Sequence, residues 1–376
     1  MFKKIAALTT VFFILFTGSV CCSELNLSCK SAVLISADTG DILYELNKDE
    51  AMPPASITKI MTLLIIMEEI ESGNISYDDI VTASERAKSM GGSTIFLDAG
   101  ERMTVHDLVK GICVASANDA CVAMAEFIEG SCEAFVQRMN KRAEELGMTN
   151  THFVNTNGLD ADGHVSSAYD IAKMSMELLR HKDILNFTTI WTDSLRDGKF
   201  DLANTNKLIR FYEGANGLKT GSTSKAGCCI SASASRQGME LIAVVMNAPD
   251  SKSRFADART LLDYGFAKYS VFSYSDTETP VGAAPVKKGA VEKVSAVLSK
   301  PLYSIIDRGS ENKVEMDIKI KGNLCAPIAK GEIIGKVKCI LDGKVIAEGD
   351  LAAKEEVKKI SFIQMYIKCL KELFSM

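Results

Sequence analysis

Histidine is scarce in this chain: His106, His152, His164 and His181 are the whole supply in 376 residues. None stands beside a cysteine pair, which removes the usual zinc-binding spacing. No block of one charge sign exists either. Lys+Arg 43 against Asp+Glu 48 leaves a net charge of -5, without the basic cluster that a nucleic-acid surface requires. The apolar run near the N-terminus, Ile5 to Phe16, is about a dozen residues, short of the roughly 20 that cross a bilayer. Internal repeats and low-complexity tracts are missing as well, so a solenoid or a disordered array is excluded.

What is present is enough for a large core. With 47% apolar residues over 376 positions, the chain has room for two domains of ordinary size. Lys3 and Lys4, the run that follows them, and the small or polar residues through Ser23 read as an export signal, which sets the protein outside the cytoplasmic membrane. Cys21 and Cys22 raise a lipidated alternative, but GSVC lacks the leucine and the small residue wanted before a lipidated cysteine. The eleven cysteines of an exported chain raise the possibility of a disulfide framework. Cys113, Cys121, Cys228 and Cys229 nonetheless lie in apolar segments, where a small buried thiol is the simpler account. Mostly free thiols, no metal and no cofactor are expected.

Two hairpins frame the first part. Ala32 to Ser36 and Ile42 to Glu45 flank a turn at Asp38 to Asp41, and Gly227 to Ser235 and Met239 to Asn247 flank Gln237-Gly238. Hairpins imply antiparallel pairing, so a doubly wound parallel sheet is excluded. Between them the pattern is helical, over Ser56 to Ser72, Val105 to Ala115, Asp119 to Ile128, Cys132 to Leu146 and Ala168 to Arg180. Thr104-Val-His-Asp107 has the form of a capping box. The expected fold is therefore α/β, an antiparallel sheet with a large helical insertion between its two parts. After Tyr269 short alternating runs, among them Lys313 to Ile320 and Ile333 to Ile346 with a turn at Asp342-Gly343, indicate a small all-β domain from about residue 274.

The end of the chain changes again. Ile360, Ile363, Ile367, Leu370 and Phe374 fall on one helical stripe, opposite Ser361, Gln364, Lys368, Lys371 and Ser375. Such a helix can lie in a membrane interface or dock on protein. The division expected is a signal over 1–23, a catalytic domain over 24–272, a β-rich domain over 274–354 and an amphipathic helix over 355–376.

The chemistry starts in PPASITKIMTLLIIMEEI, an almost wholly apolar helix with a lysine one turn in. Pro53 and Pro54 disfavour helix before Ser56, so Ser56 belongs at the helix start with Lys59 on the same face. A serine hydroxyl needs a base to become a nucleophile, and a buried lysine of lowered pKa can be that base. Lysines also snorkel out of apolar helices, and Ser-x-x-Lys recurs at Ser222 to Lys225 and Ser310 to Lys313. Two further elements give the pair its weight. Ser116-Ala-Asn118 falls at a break between helical segments, and Lys219-Thr-Gly221 stands just before a strand.

In this order the three motifs resemble those of D-alanyl-D-alanine carboxypeptidases, low-molecular-mass penicillin-binding proteins of the penicillin-recognising serine transferase group with a β-lactamase-like fold. The resemblance extends through GGSTIFLDAGERMTVHDLVKGICVASANDACVAMAE, NTNGLDADGHVSSAYD and RFADARTLLDYGF. APIAKGEIIGKVKCILDGKVIAEGDL is similar to the β-rich second domain of these enzymes. Coverage is about residues 29 to 376.

The resemblance implies Ser56 as the nucleophile, acylated by the penultimate D-alanine of a cell-wall pentapeptide, with Lys59 as its base. It implies Ser116 as the relay toward the leaving D-alanine, Asn118 holding the acyl part, Lys219 supplying positive potential and Thr220 meeting the terminal carboxylate. Gly221 lets the substrate backbone approach, and the N–H groups of Ser56 and Ser222 form an oxyanion hole worth about 3 to 4 kcal/mol per donor. Arg254 matches an arginine that helps bind the carboxylate, or is a surface helix arginine. β-Lactams are implied as inhibitors, and the C-terminal helix as an anchor to the outer face of the cytoplasmic membrane.

Departures are few: Ser222 stands where some relatives have histidine, GLDADGHVSS lacks a frequent proline, and Asp170 is either near the deacylating water or only a helix-cap or surface acid. A class A β-lactamase would need a Glu-x-x-Leu-Asn element, which is missing. A peptidoglycan endopeptidase or transpeptidase would use the same residues. An inactive cell-wall-binding relative would have been free to lose some of them.

Overall fold

The computed structural model describes residues 25–367. The expected signal at 1–23 and the last part of the tail lie outside them. The chain opens with strands β1 (Ser31–Ser36) and β2 (Ile42–Leu46), then enters the helical insertion: α1 (Lys59–Glu71), α2 (Val105–Val114), α3 (Asn118–Glu129), α4 (Cys132–Glu145) and α5 (Ala168–Arg180). It returns to the sheet with β3 (Ala215–Thr223), β4 (Gly227–Arg236) and β5 (Met239–Ala248), closed by α6 (Ser251–Lys268). The five strands pair antiparallel in the order β2-β1-β5-β4-β3, so the insertion separates two parts of one sheet as the hairpins imply.

The period of two along the strands sorts side chains to two cores. Val33, Ile35, Ile242 and Val244 pack with the helical insertion, while Ala32, Leu34, Leu241 and Ala243 pack against Ala258, Leu261 and Leu262 of α6. Because both faces are covered, β1 and β5 read as continuous apolar runs. Helix α1 is the centre of the first core: every residue from Lys59 to Met67 is buried. Each buried Leu or Ile contributes roughly 1.5–3 kcal/mol. Thr104 caps α2, its hydroxyl accepting from the Asp107 N–H at 3.1 Å.

Beyond α6 the fold is β-rich. Strand β6 (Tyr269–Tyr274) spans the break expected near residue 274 and pairs with β9 (Leu302–Asp307). Strands β7 (Gly282–Lys287), β8 (Lys293–Leu298), β10 (Glu315–Ile320), β11 (Leu324–Cys325), β12 (Ile333–Leu341) and β13 (Lys344–Ala353) form a six-stranded sheet around Val294, Ile334, Val337 and Leu351.

The tail departs from the expected helix over 355–376. Val357 bridges Ile328 and Lys359 bridges Gly289, because Val357 is a core residue of the second domain. Helix begins only at 362. Among the described residues no helix is long and apolar enough to cross a membrane. The eight described cysteines are free thiols.

Candidate active site

Pro53-Pro54 delivers the chain into Ala55 with φ +51, and residues Ala55–Thr58 then form a 3-10 turn. Ser56 therefore sits one turn ahead of the α-helix that the sequence had it begin, and α1 starts at Lys59. The tighter 3-10 turn still leaves residues three apart on one side. The Lys59 amine reaches Ser56 Oγ at 2.8 Å, Asn118 Oδ1 at 2.6 Å and the Asn157 carbonyl at 2.6 Å. Three acceptors match the three protons of an ammonium, and two of them suffice for a neutral amine whose lone pair then faces the serine hydroxyl. Lys59 has no solvent exposure, and burial pushes its pKa down to about 8.

The second motif lies in the break between α2 and α3. Ser116 takes φ +64, an uncommon conformation for a serine, and is 4% exposed. Asn118 opens α3, with its Nδ2 donating to the Gly91 carbonyl at 2.7 Å while its Oδ1 holds Lys59. Next to it, the buried Asp119 carboxylate accepts from the N–H groups of Ile95 and Leu97, which fixes the 91–97 loop against the helix.

The third motif is on edge strand β3. Lys219 is fully buried, donates to the Thr220 carbonyl at 3.0 Å, and has its pKa pushed down to about 7 by burial and by the charge of Lys59. Cys113 and Cys121 provide no counter-charge to these two amines, since burial pushes both thiols up to about 12. Thr220 Oγ1 donates to Thr205 Oγ1 at 2.8 Å. Gly221 passes so near the Ser56 turn that a Cβ there would stand 2.7 Å from the Ser56 nitrogen, so the residue has to be glycine. Ser222 is exposed.

Arg254 is no surface arginine. At 6% exposure it donates through Nη1 to the carbonyls of Gly221 (3.1 Å) and Cys229 (3.3 Å) and through Nη2 to Ser251 Oγ (3.1 Å). Its Nε has no partner among the described residues. The guanidinium thus braces the strand that carries Lys219-Thr-Gly221 against its neighbour. Asp170 is buried and structural, its carboxylate accepting hydrogen bonds from the Asn150 N–H and Thr151 Oγ1.

Four residues of the site escaped the sequence reading. Asn157 acts through its main chain, which no side-chain pattern reveals. Gly158 (φ +88) leaves no space for a Cβ, which would fall 1.9 Å from the Ala55 carbonyl oxygen. Thr205 meets Thr220, and His164 Nε2 lies 2.7 Å from Thr58 Oγ1 while its Nδ1 accepts from the Val154 N–H at 2.9 Å. The Asn-Gly pair within NTNGLDADGHVSS was the one available signal.

A family model described as D-alanyl-D-alanine carboxypeptidase matches residues 19–250, and one described as the penicillin-binding protein 5 C-terminal domain matches residues 269–359. The chain is 48% identical over 345 residues to the D-alanyl-D-alanine carboxypeptidase DacF of Bacillus subtilis, spanning 91% of this chain and 89% of that protein. It is 33% identical over 390 residues to the D-alanyl-D-alanine carboxypeptidase DacA of Escherichia coli K12, spanning 99% and 96%. Penicillin-binding protein 5 of Haemophilus influenzae superposes with a TM-score of 0.78 at 33% identity, covering 90% of this chain and 99% of that one.

Proposed function

The chain belongs to the D-alanyl-D-alanine carboxypeptidase family, and from that membership we propose how its residues divide the reaction. The protein is a serine-type, penicillin-binding carboxypeptidase of the cell wall. In the proposed mechanism Ser56 Oγ attacks the carbonyl carbon of the penultimate D-alanine of a stem pentapeptide. Its proton passes to Lys59, the C–N bond breaks, and Ser116 relays that proton from Lys59 to the leaving D-alanine amine. Water then hydrolyses the Ser56 ester, releasing the shortened peptide as a carboxylic acid. The observation that carries this reading is the Lys59 amine, wholly buried, of lowered pKa and 2.8 Å from Ser56 Oγ.

Asn118 would hold the acyl side, and Lys219, Thr220 and Arg254 the terminal carboxylate. A buried lysine, a threonine hydroxyl and a guanidinium held against the Gly221 carbonyl support that assignment. The N–H groups of Ser56 and Ser222 would receive the oxyanion, and the close passage of Gly221, where an added Cβ would stand 2.7 Å from the Ser56 nitrogen, favours this pairing.

Export through residues 1–23 would bring the enzyme to its peptidoglycan substrate. Attachment to the outer face of the membrane would come from the tail. Phe362 is 80%, Ile363 70% and Tyr366 61% exposed, an apolar face that suits an interfacial helix rather than a spanning one.

The test is D-alanine release from a peptide ending in D-Ala-D-Ala. Release by the native chain and none by Ser56→Ala is the expected result; equal release by both would reject Ser56 as the nucleophile.

A further inference from the structure

Phe96 is held in a conformation that its side chain does not favour. Its φ of +54 lies in the left-handed region, where a bulky residue is an outlier, and its ring is 73% exposed. The backbone is gripped from both sides. Asp119, buried in the first turn of α3, accepts from the N–H groups of Ile95 at 3.1 Å and Leu97 at 3.0 Å. Arg196 donates to the carbonyls of Ile95 at 2.9 Å and Phe96 at 3.3 Å, and is itself fixed by Glu101 at 2.7 and 3.1 Å. The same guanidinium lies over the ring of Phe200, 5.4 Å from its centre, and Phe200 meets Phe96 edge-on at 6.0 Å. An exposed apolar side chain by itself needs no explanation. One displayed on a clamped left-handed backbone does, since such positions persist where they serve a site.

The loop that carries Phe96 belongs to the wall of the catalytic cleft. Asn118 holds it twice, through Nδ2 to the Gly91 carbonyl and through its backbone N–H to the Ser93 carbonyl, both at 2.7 Å. Its Oδ1 meets Lys59. The ring is thus supported from α3, whose first turn carries the group assigned to the acyl part of the substrate, and not from β3 or α6, which carry those assigned to the terminal carboxylate. The acyl side leads back along the stem to the sugar from which the stem hangs. Four extended residues span at most about 14 Å, and Phe96 stands three residues, about 10 Å of chain at most, beyond the Ser93 carbonyl. The surroundings select the ligand. Ser93 and Asp98 are exposed to either side of Phe96, so the ring stands singly among polar residues. A protein partner or a membrane calls for a contiguous apolar patch. A pyranose ring instead has a face of C–H groups that suits the electron-rich face of an aromatic ring, and a rim of hydroxyls that suits Ser93 and Asp98.

We propose that Phe96, fixed by Arg196 and Asp119 and backed by Phe200, is a saccharide subsite that receives a sugar ring of the glycan carrying the stem. The inference rests on the assignment of Ser56 and of the acyl side given above. The reaction at Ser56 is unchanged by it. What the subsite adds is affinity for stems still attached to sugar over free peptides of the same sequence.

The experiment measures D-alanine release by the full chain from one pentapeptide ending in D-Ala-D-Ala, supplied free and supplied on a disaccharide of the glycan. Phe96→Asn removes the ring and suits the left-handed backbone, so the loop keeps its shape. Labelling by fluorescent penicillin reports the cleft. The expected result is a KM at least fivefold lower for the disaccharide substrate in the native chain. Phe96→Asn should raise that KM to the free-peptide value, with kcat and the free-peptide KM within twofold of native, and Phe96→Trp should keep the preference. Equal KM values for the two substrates in the native chain overturn the subsite alone. So does a Phe96→Asn variant that loses activity on both substrates alike, which would leave Phe96 as support for the loop. A native chain that releases D-alanine from neither substrate overturns the Ser56 reading together with this one.

Discussion

The Lys59 amine and the Asn157 carbonyl oxygen are 2.6 Å apart, in the interior of the protein and 98 positions apart in sequence. That contact, with Asn118 Oδ1, uses two of the amine's protons and leaves the third position to Ser56. The amine is thereby aimed at the Ser56 hydroxyl whether it is charged or neutral. Its protonation state is then set by solvation, and there is little of it.

Burial pushes Lys59 down to about 8, and burial with the charge of Lys59 pushes Lys219 down to about 7. Attack by Ser56 needs a neutral Lys59. Acylation by a fluorescent penicillin is therefore predicted to rise with pH as Lys59 loses its proton, over the interval around pH 8. Stopped-flow rates independent of pH across that interval would remove Lys59 from the role of base.

Gly158→Ala is predicted to damage both stability and acylation. The new methyl would meet the Ala55 carbonyl at 1.9 Å, and the position holds φ +88. Left-handed backbone and overpacking together cost about 3 kcal/mol or more. Because the clash is with the nucleophile turn, penicillin labelling should fall even at temperatures where circular dichroism shows the variant folded. Unchanged labelling would show that the turn yields at no cost to the site.

His164 makes stability acid-sensitive. Its Nδ1 accepts from Val154, so its proton is on Nε2, toward Thr58. Burial lowers its pKa from 6.5 to about 4, with the charge of His152 adding to the shift and that of Asp160 opposing it. Between those values the unfolded chain binds the proton and the folded one does not, so stability falls as pH drops from 6.5 toward 4, by roughly 3 kcal/mol in all. Denaturant titrations of His164→Gln should show a shallower decline over that window. A decline as steep as that of the native chain would assign the acid sensitivity to other groups.

The tail prediction concerns apolar burial. Removing residues 361–376 should move the protein from the vesicle-bound to the free fraction in flotation with anionic and neutral lipid alike. High salt should release little of the intact chain, since Phe362, Ile363 and Tyr366 carry the contact. Full release by salt would make the attraction electrostatic instead.

By itself the sequence determined the architecture and the chemical groups. The apolar strands at Ala32 to Ser36 and Met239 to Asn247 with their turns, the buried helix after Pro54 and the three motifs were all legible, because apolar runs, turn residues and short spacings are local. Ser56 to Lys59 was readable for the same reason: residues three apart share a face in either kind of helix. Only the tertiary structure decided what makes these groups a site. It put Ser56 in a 3-10 turn rather than the α-helix, brought the Asn157 carbonyl to Lys59, and turned Arg254 inward to the Gly221 and Cys229 carbonyls. It also converted the start of the tail from helix to strand pairing at Val357. Main-chain acceptors carry no residue signature, and the lowered pKa of Lys59 is a property of the core that encloses it.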